Sequence, residues 1–516
     1  MDGDRRRQQQ EGNNGNNAAS WAAGAAGIAA AAALVGGGLW YLRRNKEEST
    51  RESSPSSSSY SDSDSPTSNS DPAPSENGST CLSYLTGLLN RVNMEDNYNG
   101  YIPESKGLNQ IPDTAVITNL NSLLADIHVR YIAFGRNDFR LHYSIFDKVF
   151  HHLHQTMKKV DPYYQRYSST VSFAGSHYDN LRIKKPDEFD MDIVIGLPLN
   201  ISDNPYNPSD SDIKFEPQGA GFVELKMGVQ YKNLPMRDGN DWLINKTAYK
   251  WKDDDDYLTR SKFIDWFKSV VVKALNQYQR SSRGHAVHSV DGLPYTIRLT
   301  ESGPAITLII ENSISGFKMD VDLVPALRFP EARWPIDGEY REIAPHCKRD
   351  YWLVVPKPNK ETSREGMQRS WRIALHYQER ELMHDSYNLR QTIRFLKKLR
   401  DSQGMNKIAS YYIKTLVLWE VVRQSDSLFW RKSPGELFII MVDRLHTAVE
   451  LGRIPYFWNS NNNLLAGVRR TVLDVYAAKL KNLLDVLAEP SNYKRVAKFL
   501  LTPDEFDEYN RKFLHI

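Results

Sequence analysis

The sequence predicts an α+β protein with two lobes and a hydrophobic N-terminal segment. Strand-like runs at 190–197, 305–311 and 317–324 are interspersed with helical periodicity between residues 171 and 330. After residue 370, nearly every segment has the spacing of an amphipathic helix. A lobe that contains a sheet, followed by a helical lobe, is typical of proteins that bind a ligand in the cleft between the two.

Helical periodicity marks most of the remaining folded segments. The run 139–160 places Phe146 and Val149 on one side of a helix. The other predicted helices are 115–133, 263–278, 371–384, 386–402, 406–423, 434–452 and 466–488. We therefore divide the folded chain into a sheet-containing lobe at 107–370 and a C-terminal helical lobe at 371–516.

Three segments precede the folded part. Residues 1–17 are polar, whereas residues 18–42 carry no charge and are followed by Arg43 and Arg44. Because a run of about 20 apolar residues can cross a bilayer, 18–42 is predicted to be a transmembrane helix, with the lobes on the cytosolic side. A low-complexity Ala/Gly tract is the alternative. Residues 43–106 are rich in Ser, Asp and Pro, which predicts a disordered linker.

The composition excludes some classes of protein and leaves others open. The chain has 516 residues and a net charge of +3, which by itself implies no nucleic-acid partner. Its two cysteines, Cys81 and Cys347, are too few for a disulfide framework or a four-cysteine zinc site. A reducing compartment fits this content.

Two acidic strands are the most informative feature of the sequence. Side chains alternate between the faces of a strand, so Glu188, Asp190 and Asp192 share one face. A second strand carries Asp320 and Asp322. Neighbouring carboxylates repel one another unless a cation lies between them, and oxygen ligands suit Mg²⁺ or Mn²⁺. A solvated acidic face on an edge strand is the alternative.

A glycine–serine pair precedes the first acidic strand. Gly175 and Ser176 lie just before a possible helical turn at 177–181. Backbone N–H groups at the start of a helix, together with a serine hydroxyl, can bind phosphate. With two metal ions, such a site can activate an attacking ribose hydroxyl and neutralise the group that leaves a nucleoside triphosphate.

The run from Gly175 to Asp190, which reads GSHYDNLRIKKPDEFD, resembles the Mab-21 family, in particular the cyclic GMP-AMP synthases and the related receptors of animals. The similarity extends over roughly residues 107–500. It implies a bilobal nucleotidyltransferase fold and an enzyme that joins ATP and GTP into a cyclic dinucleotide for innate immune signalling. It also implies two Mg²⁺ or Mn²⁺ ions on Glu188, Asp190 and Asp322. Asp192 and Asp320 lie outside the family pattern, and they are either residues that support the metal ligands or solvated acids.

The resemblance further implies a set of nucleotide contacts. Together with Ser176, the residues that match the family's ATP- and GTP-binding positions are Arg372, Glu379, Arg394, Lys397, Ser410, Tyr411 and Lys414. Ser410 and Lys414 would hold phosphates and Tyr411 would stack on a base, while Arg394 or Lys397 would face the triphosphate. The alternatives are helix packing for Tyr411 and an ordinary basic surface for the helix that carries Arg394 and Lys397.

The activating ligand is predicted from a departure from the family. No cysteine follows Cys347, so the zinc loop of the vertebrate DNA-sensing enzyme is not present. DNA recognition through that loop is therefore not expected, and the resemblance to the insect-like receptors that sense double-stranded RNA implies duplex RNA as the activator. Lys268, Lys273 and Arg280 can form a basic stripe on or beside the 263–278 helix, and scattered surface charge is the alternative.

Two other functions are compatible with parts of the sequence. A membrane-anchored, non-catalytic nucleotide-binding adaptor of the same superfamily, of the kind found in mitochondrial dynamics, would have the same order of segments. The complete set of Glu188, Asp190 and Asp322 argues against it, because an adaptor does not need metal ligands. An enzyme that adds nucleotides to RNA ends is the second alternative.

Overall fold

The computed structural model describes residues 117–133, 136–175, 179, 181–183, 185, 187–199, 201, 212–219, 221–303, 305–334, 339–384, 386–424 and 426–514. Apart from 422–424, these residues belong to one compact unit. The predicted transmembrane helix at 18–42, its flanking segment 1–17 and the predicted linker 43–106 lie outside the described residues, as does Ser176. Among the described helices, none is long and apolar enough to cross a membrane.

The described strands form one mixed sheet. They are β1 Ser168–Ala174, β2 Glu188–Ile195, β3 Ile213–Pro217, β4 Phe222–Met227, β5 Gln279–Arg280, β6 Ala286–Val290, β7 Leu293–Ser302, β8 Ala305–Asn312, β9 Phe317–Pro330, β10 Tyr351–Val355 and β11 Trp371–Ala374. The main order is β3-β4-β11-β10-β9-β8-β7-β6-β5, and β1 and β2 join it through β9. The pairing of β2 with β9 is parallel, and the other described pairs are antiparallel.

Helices flank the sheet and make up the C-terminal lobe. They are α1 Leu120–Ile127, α2 Arg136–Val160, α3 Pro162–Tyr167, α4 Val229–Lys232, α5 Leu234–Arg237, α6 Trp242–Tyr249, α7 Arg260–Leu275, α8 Arg364–Arg369, α9 His376–Leu382, α10 Leu389–Ser402, α11 Ser410–Arg423, α12 Pro434–Leu451, α13 Arg470–Leu487, α14 Ala497–Leu500 and α15 Pro503–Tyr509. The predicted α+β fold class is therefore confirmed, whereas the division into two lobes at residue 370 stays a prediction.

The long strand β9 organises the sheet-containing lobe. Val321 and Leu323 on one face are buried in the main hydrophobic core, with Phe189 and Met191 of β2 beside them. The strand runs further than the predicted 317–324 because its apolar second half pairs with β10. The opposite faces of β2 and β9 are left to carry the carboxylates, as the alternation of side chains requires.

One predicted helix is wrong at its start. The segment 371–384 was expected to be helical throughout, but its first residues form β11, which pairs with β4 and β10. Trp371 and Ile373 are buried in the core and alternate with Arg372, so the local period is that of a strand. The sheet therefore extends past the predicted lobe boundary at 370, and the helical part begins with α9.

The long helix α12 has well-defined ends and is largely buried. Ser433 and Glu436 form a reciprocal cap at the start of α12, and Gly452 ends that helix in the left-handed conformation. Most of α12 is buried between α10 and α13. This packing fixes α10 and α11, which carry basic side chains toward the loop that precedes β2.

Candidate active site

The parallel pairing of β2 with β9 brings the acidic side chains together. Glu188 lies opposite Asp320, and Asp190 lies opposite Asp322. One carboxylate oxygen each from Glu188, Asp190 and Asp322 falls within 4.8 Å of the others. The three predicted metal ligands therefore form one cluster, which is called the carboxylate triad below.

The triad has the electrostatics of a cation site. Burial, followed by the charges of Glu188 and Asp322, raises the pKa of Asp190 to about 7. Burial also raises the pKa of Asp322, although the Thr307 hydroxyl donates a hydrogen bond of 2.5 Å to its Oδ1. Crowded carboxylates that resist ionisation are stabilised by a divalent cation with oxygen ligands, so the donor set fits Mg²⁺ or Mn²⁺.

Metal affinity is expected to rise with pH up to about 7. A proton competes with the metal for Asp190, whose pKa is about 7 because of burial and its acidic neighbours. Below that pH, the apparent Mn²⁺ affinity should fall by up to about tenfold per pH unit, and above it the affinity should level off. Electron paramagnetic resonance of free Mn²⁺ between about pH 5.5 and 8.5 measures this, and a flat profile would contradict it.

The two acids outside the family pattern are shielded from water to different extents, since Asp320 as a whole is only half-buried. Asp192 is buried, and its Oδ2 lies 3.3 Å from His376 Nε2 at the start of α9. Asp320 Oδ1 is also buried and accepts no hydrogen bond within the described residues. Asp192 therefore links β2 to α9, and Asp320 adds negative charge beside Glu188.

Gly175 has to be a glycine for two reasons. Its φ is +71°, a conformation that side chains disfavour. A Cβ atom at this position would lie 1.8 Å from Asp190 Oδ2. The chain at the end of β1 thus packs directly against a triad carboxylate, and phosphate binding by the glycine–serine pair stays a prediction.

Four of the predicted nucleotide contacts lie together beside the sheet. Lys414 Nζ is 2.9 Å from a carboxylate oxygen of Glu379, and Tyr411 donates a 2.7 Å hydrogen bond to the same side chain. The guanidinium of Arg372 lies over the Tyr411 ring, 5.2 Å from its centroid. Trp458 also donates to Glu379, at 3.1 Å. An arginine above a tyrosine can hold a flat base, and Lys414 can hold a phosphate.

The other described residues that were predicted to contact nucleotide form hydrogen bonds or close contacts with other groups of the chain. Lys397 Nζ donates to the backbone carbonyl of Leu181 at 2.7 Å, and burial, then Arg400 and Arg182, lowers its pKa to about 8. Ser410 accepts a 2.7 Å hydrogen bond from Arg400. Arg394 lies 3.4 Å from the ring of His128.

Three cationic residues of the site were not predicted. Arg182 donates to Glu188 and, at 2.9 Å, to Asp187. Arg380 lies 3.3 Å from Asp179. Lys357 is exposed, two residues after β10 and near the charge of Arg372. A lysine close behind a buried apolar strand was a signal for the last of these, but the pairing of β10 with β11 was needed to place it beside Arg372.

The predicted nucleic-acid stripe is split between two elements. Lys268 and Lys273 lie on α7, but Arg280 lies on β5 because the helix ends at Leu275. Lys268 forms an ion pair with Glu301, and Arg280 donates to Gly284 O at 3.1 Å. Lys273 is exposed. The three residues are therefore not one helical stripe, and their binding role stays a prediction.

Comparison with known proteins gives matches along most of the folded chain. Residues 177–385 match the Mab-21 protein nucleotidyltransferase domain, and residues 388–482 match the Mab-21 protein HhH/H2TH-like domain. A cyclic GMP-AMP synthase-like receptor of Ctenocephalides felis is 30% identical over 407 residues, which cover 76% of this chain and 90% of the relative. Another from Tribolium castaneum is 31% identical over 398 residues, with 76% and 94% covered.

Proposed function

Because the chain belongs to the Mab-21 family of nucleotidyltransferases, we propose that it is a nucleic-acid-activated enzyme of innate immunity that joins ATP and GTP into a cyclic dinucleotide. The observation that carries this proposal is the carboxylate triad of Glu188, Asp190 and Asp322 on paired strands. The relatives named cyclic GMP-AMP synthase-like receptors support the choice of product.

The triad is the part of the site that would hold metal. Two Mg²⁺ or Mn²⁺ ions bound there would help to deprotonate the attacking ribose hydroxyl and neutralise the leaving pyrophosphate. The residues of the chain supply position and charge. Asp190 and Asp322 face the same side of the sheet as Arg372, because β9, β10 and β11 are paired in register. A nucleotide held by Arg372 and Tyr411 would therefore lie on the triad's side of the sheet.

The helical lobe offers the positive charge that a triphosphate needs. Lys397 and Lys414 approach the loop before β2 from α10 and α11, and Arg380 approaches it from α9. Lys414 is nearly fully buried, so its charge is screened less by water than that of a surface lysine. We assign these three residues to phosphate binding, with Lys357 beside Arg372 as a further candidate.

The reaction product distinguishes the proposed enzyme from the non-catalytic adaptor and from an enzyme that acts on RNA ends. Purified protein would be incubated with ATP, GTP, Mg²⁺ or Mn²⁺, and duplex RNA or DNA, and the products identified by mass spectrometry. A cyclic dinucleotide is expected. Absence of turnover under every condition would favour the non-catalytic adaptor. Elongation of the RNA without a cyclic product would favour the enzyme that adds nucleotides to RNA ends.

Duplex RNA is expected to stimulate the enzyme more than duplex DNA. The reason is the missing cysteine-rich zinc loop, since no cysteine follows Cys347. Stimulation should fall steeply between roughly 50 and 200 mM salt, because phosphate contacts dominate such binding. Lys273→Gln should weaken binding in a fluorescence anisotropy titration with labelled duplexes, whereas the exposed Asp265→Asn should not. Equal activity with and without nucleic acid would contradict the prediction.

Membrane attachment through residues 18–42, with the catalytic domain in the cytosol, stays a prediction. Fractionation of cells that express the full chain, compared with a variant lacking 18–42, tests it. The full chain should sediment with membranes and the shortened chain should not.

A further inference from the structure

A carboxylate of the chain occupies the place assigned to the triphosphate. Asp179 lies in the loop between β1 and β2 and is buried. Its two oxygens are 2.6 Å from Lys414 Nζ and 3.3 Å from the Arg380 guanidinium. Its backbone carbonyl accepts a 3.2 Å hydrogen bond from Arg390. One acidic residue thus stands among cations from three helices of the C-terminal lobe.

A cation of the same loop contacts the carboxylate triad. Arg182 donates one nitrogen to Glu188 and another, at 2.9 Å, to Asp187. Glu188 is one of the three residues that would hold metal. Between the two ionic residues, the carbonyl of Leu181 accepts from Lys397, a further residue assigned to the triphosphate. Within four residues, the loop therefore places an anion at the phosphate end of the site and a cation at the metal end.

We infer that Asp179 and Arg182 are internal counter-ions that compete with the triphosphate and with the metal for the same partners, an inference that rests on the proposed function. A triphosphate at Lys414 and Arg380 would meet the Asp179 carboxylate at close range, and like charges at that distance repel. A divalent cation at Glu188 would meet the Arg182 guanidinium in the same way. Binding of the substrate complex then requires both ion pairs to be exchanged for ligand contacts.

The chain can release these two residues at limited cost. Lys414 keeps a second carboxylate partner, Glu379, at 2.9 Å when Asp179 withdraws. Arg182 keeps Asp187 when Glu188 turns to the metal. Neither exchange leaves Lys414 or Arg182 without a carboxylate partner, which is the arrangement that would be prohibitive. The cost falls on ligand affinity, for the triphosphate through Asp179 and for the metal through Arg182.

Neutral variants of nearly the same size test the role of Asp179 and the role of Arg182 separately. Asp179→Asn should bind a non-hydrolysable ATP analogue about five- to tenfold more tightly than the wild type, by calorimetry in the presence of Mn²⁺. Arg182→Gln should bind Mn²⁺ alone more tightly by a similar factor, by paramagnetic resonance. Arg182→Lys should stay close to the wild type, since it keeps the charge. Asp265→Asn and Arg140→Gln, both exposed on helices, match the changes in net charge.

The outcomes separate this inference from the proposed function. Lower or unchanged affinity in Asp179→Asn and Arg182→Gln would overturn it and would make the two residues positioning groups. Equal gains in the charge-matched controls would overturn it too, because a general field effect would then suffice. Should Asp179→Asn not fold, Asp179→Ser removes the same charge. Failure of the wild type to bind Mn²⁺ or nucleotide at all would instead count against the proposed function.

Discussion

Asp190→Asn and Asp322→Asn are each expected to lower nucleotide turnover by at least about a thousandfold, because several kcal/mol of charge stabilisation depend on the metal that these ligands hold. Both substitutions keep the size of the side chain and remove its charge. Release of pyrophosphate from ATP and GTP, with Mn²⁺ and duplex RNA present, is the measurement. Wild-type turnover in either variant would show that the triad does not hold the catalytic metal.

The same variants carry an internal control for folding. Asp190 resists ionisation because of burial and the neighbouring Glu188 and Asp322, so its neutral replacement should not destabilise the metal-free protein. The melting temperature without metal should therefore be equal or slightly higher in Asp190→Asn above pH 7. The upward shift that Mn²⁺ produces in the wild type should be largely lost. If Asp190→Asn had a much lower melting temperature without metal, its loss of activity could come from unfolding. The activity of Asp322→Asn would then be the test of the metal assignment.

The triad was predictable because it depends on short-range patterns. Alternation of side chains put Glu188 and Asp190 on the same face of one strand, and a second acidic strand offered Asp322. The remaining step, that β2 and β9 are neighbours, came from the family resemblance. Asp190 lies directly opposite Asp322 in the register of that pair. Local rules and one topological fact therefore sufficed for the metal end of the site.

The nucleotide end was predicted less completely because its contacts join distant parts of the chain. Asp179 and Lys414 are 235 positions apart, and no local pattern marks an aspartate in a loop as the partner of a helical lysine. Arg380 and Lys357 were missed for the same reason. The sequence does not reveal the strand Trp371–Ala374, because four residues directly before a helix are too few to distinguish the alternation of a strand from helical spacing. Its pairing with β4 and β10 decided its conformation.

Lys414→Met is expected to lower the free energy of unfolding by about 3–5 kcal/mol, because it leaves buried carboxylates without their main cation. Lys414 contacts Asp179 at 2.6 Å and Glu379 at 2.9 Å, and all three side chains are buried. Denaturant titration at neutral pH measures the loss. Lys414→Arg keeps the charge and should lose less, and adding Glu379→Gln to Lys414→Met should restore part of the stability, since one unpaired charge is removed.

The pH dependence of this loss identifies its cause. Burial alone would raise the pKa values of Asp179 and Glu379, but Lys414, with Arg380 for Asp179 and His376 for Glu379, outweighs burial and holds both pKa values below their usual range. In the wild type this stabilisation is therefore present above the unfolded pKa values and is lost as the pH falls through the lowered folded ones. In Lys414→Met both groups take up protons more readily. The stability difference between the two proteins should shrink on acidification from about pH 7 to 4. A difference that stays constant with pH would mean that Lys414 stabilises the fold by packing rather than by charge.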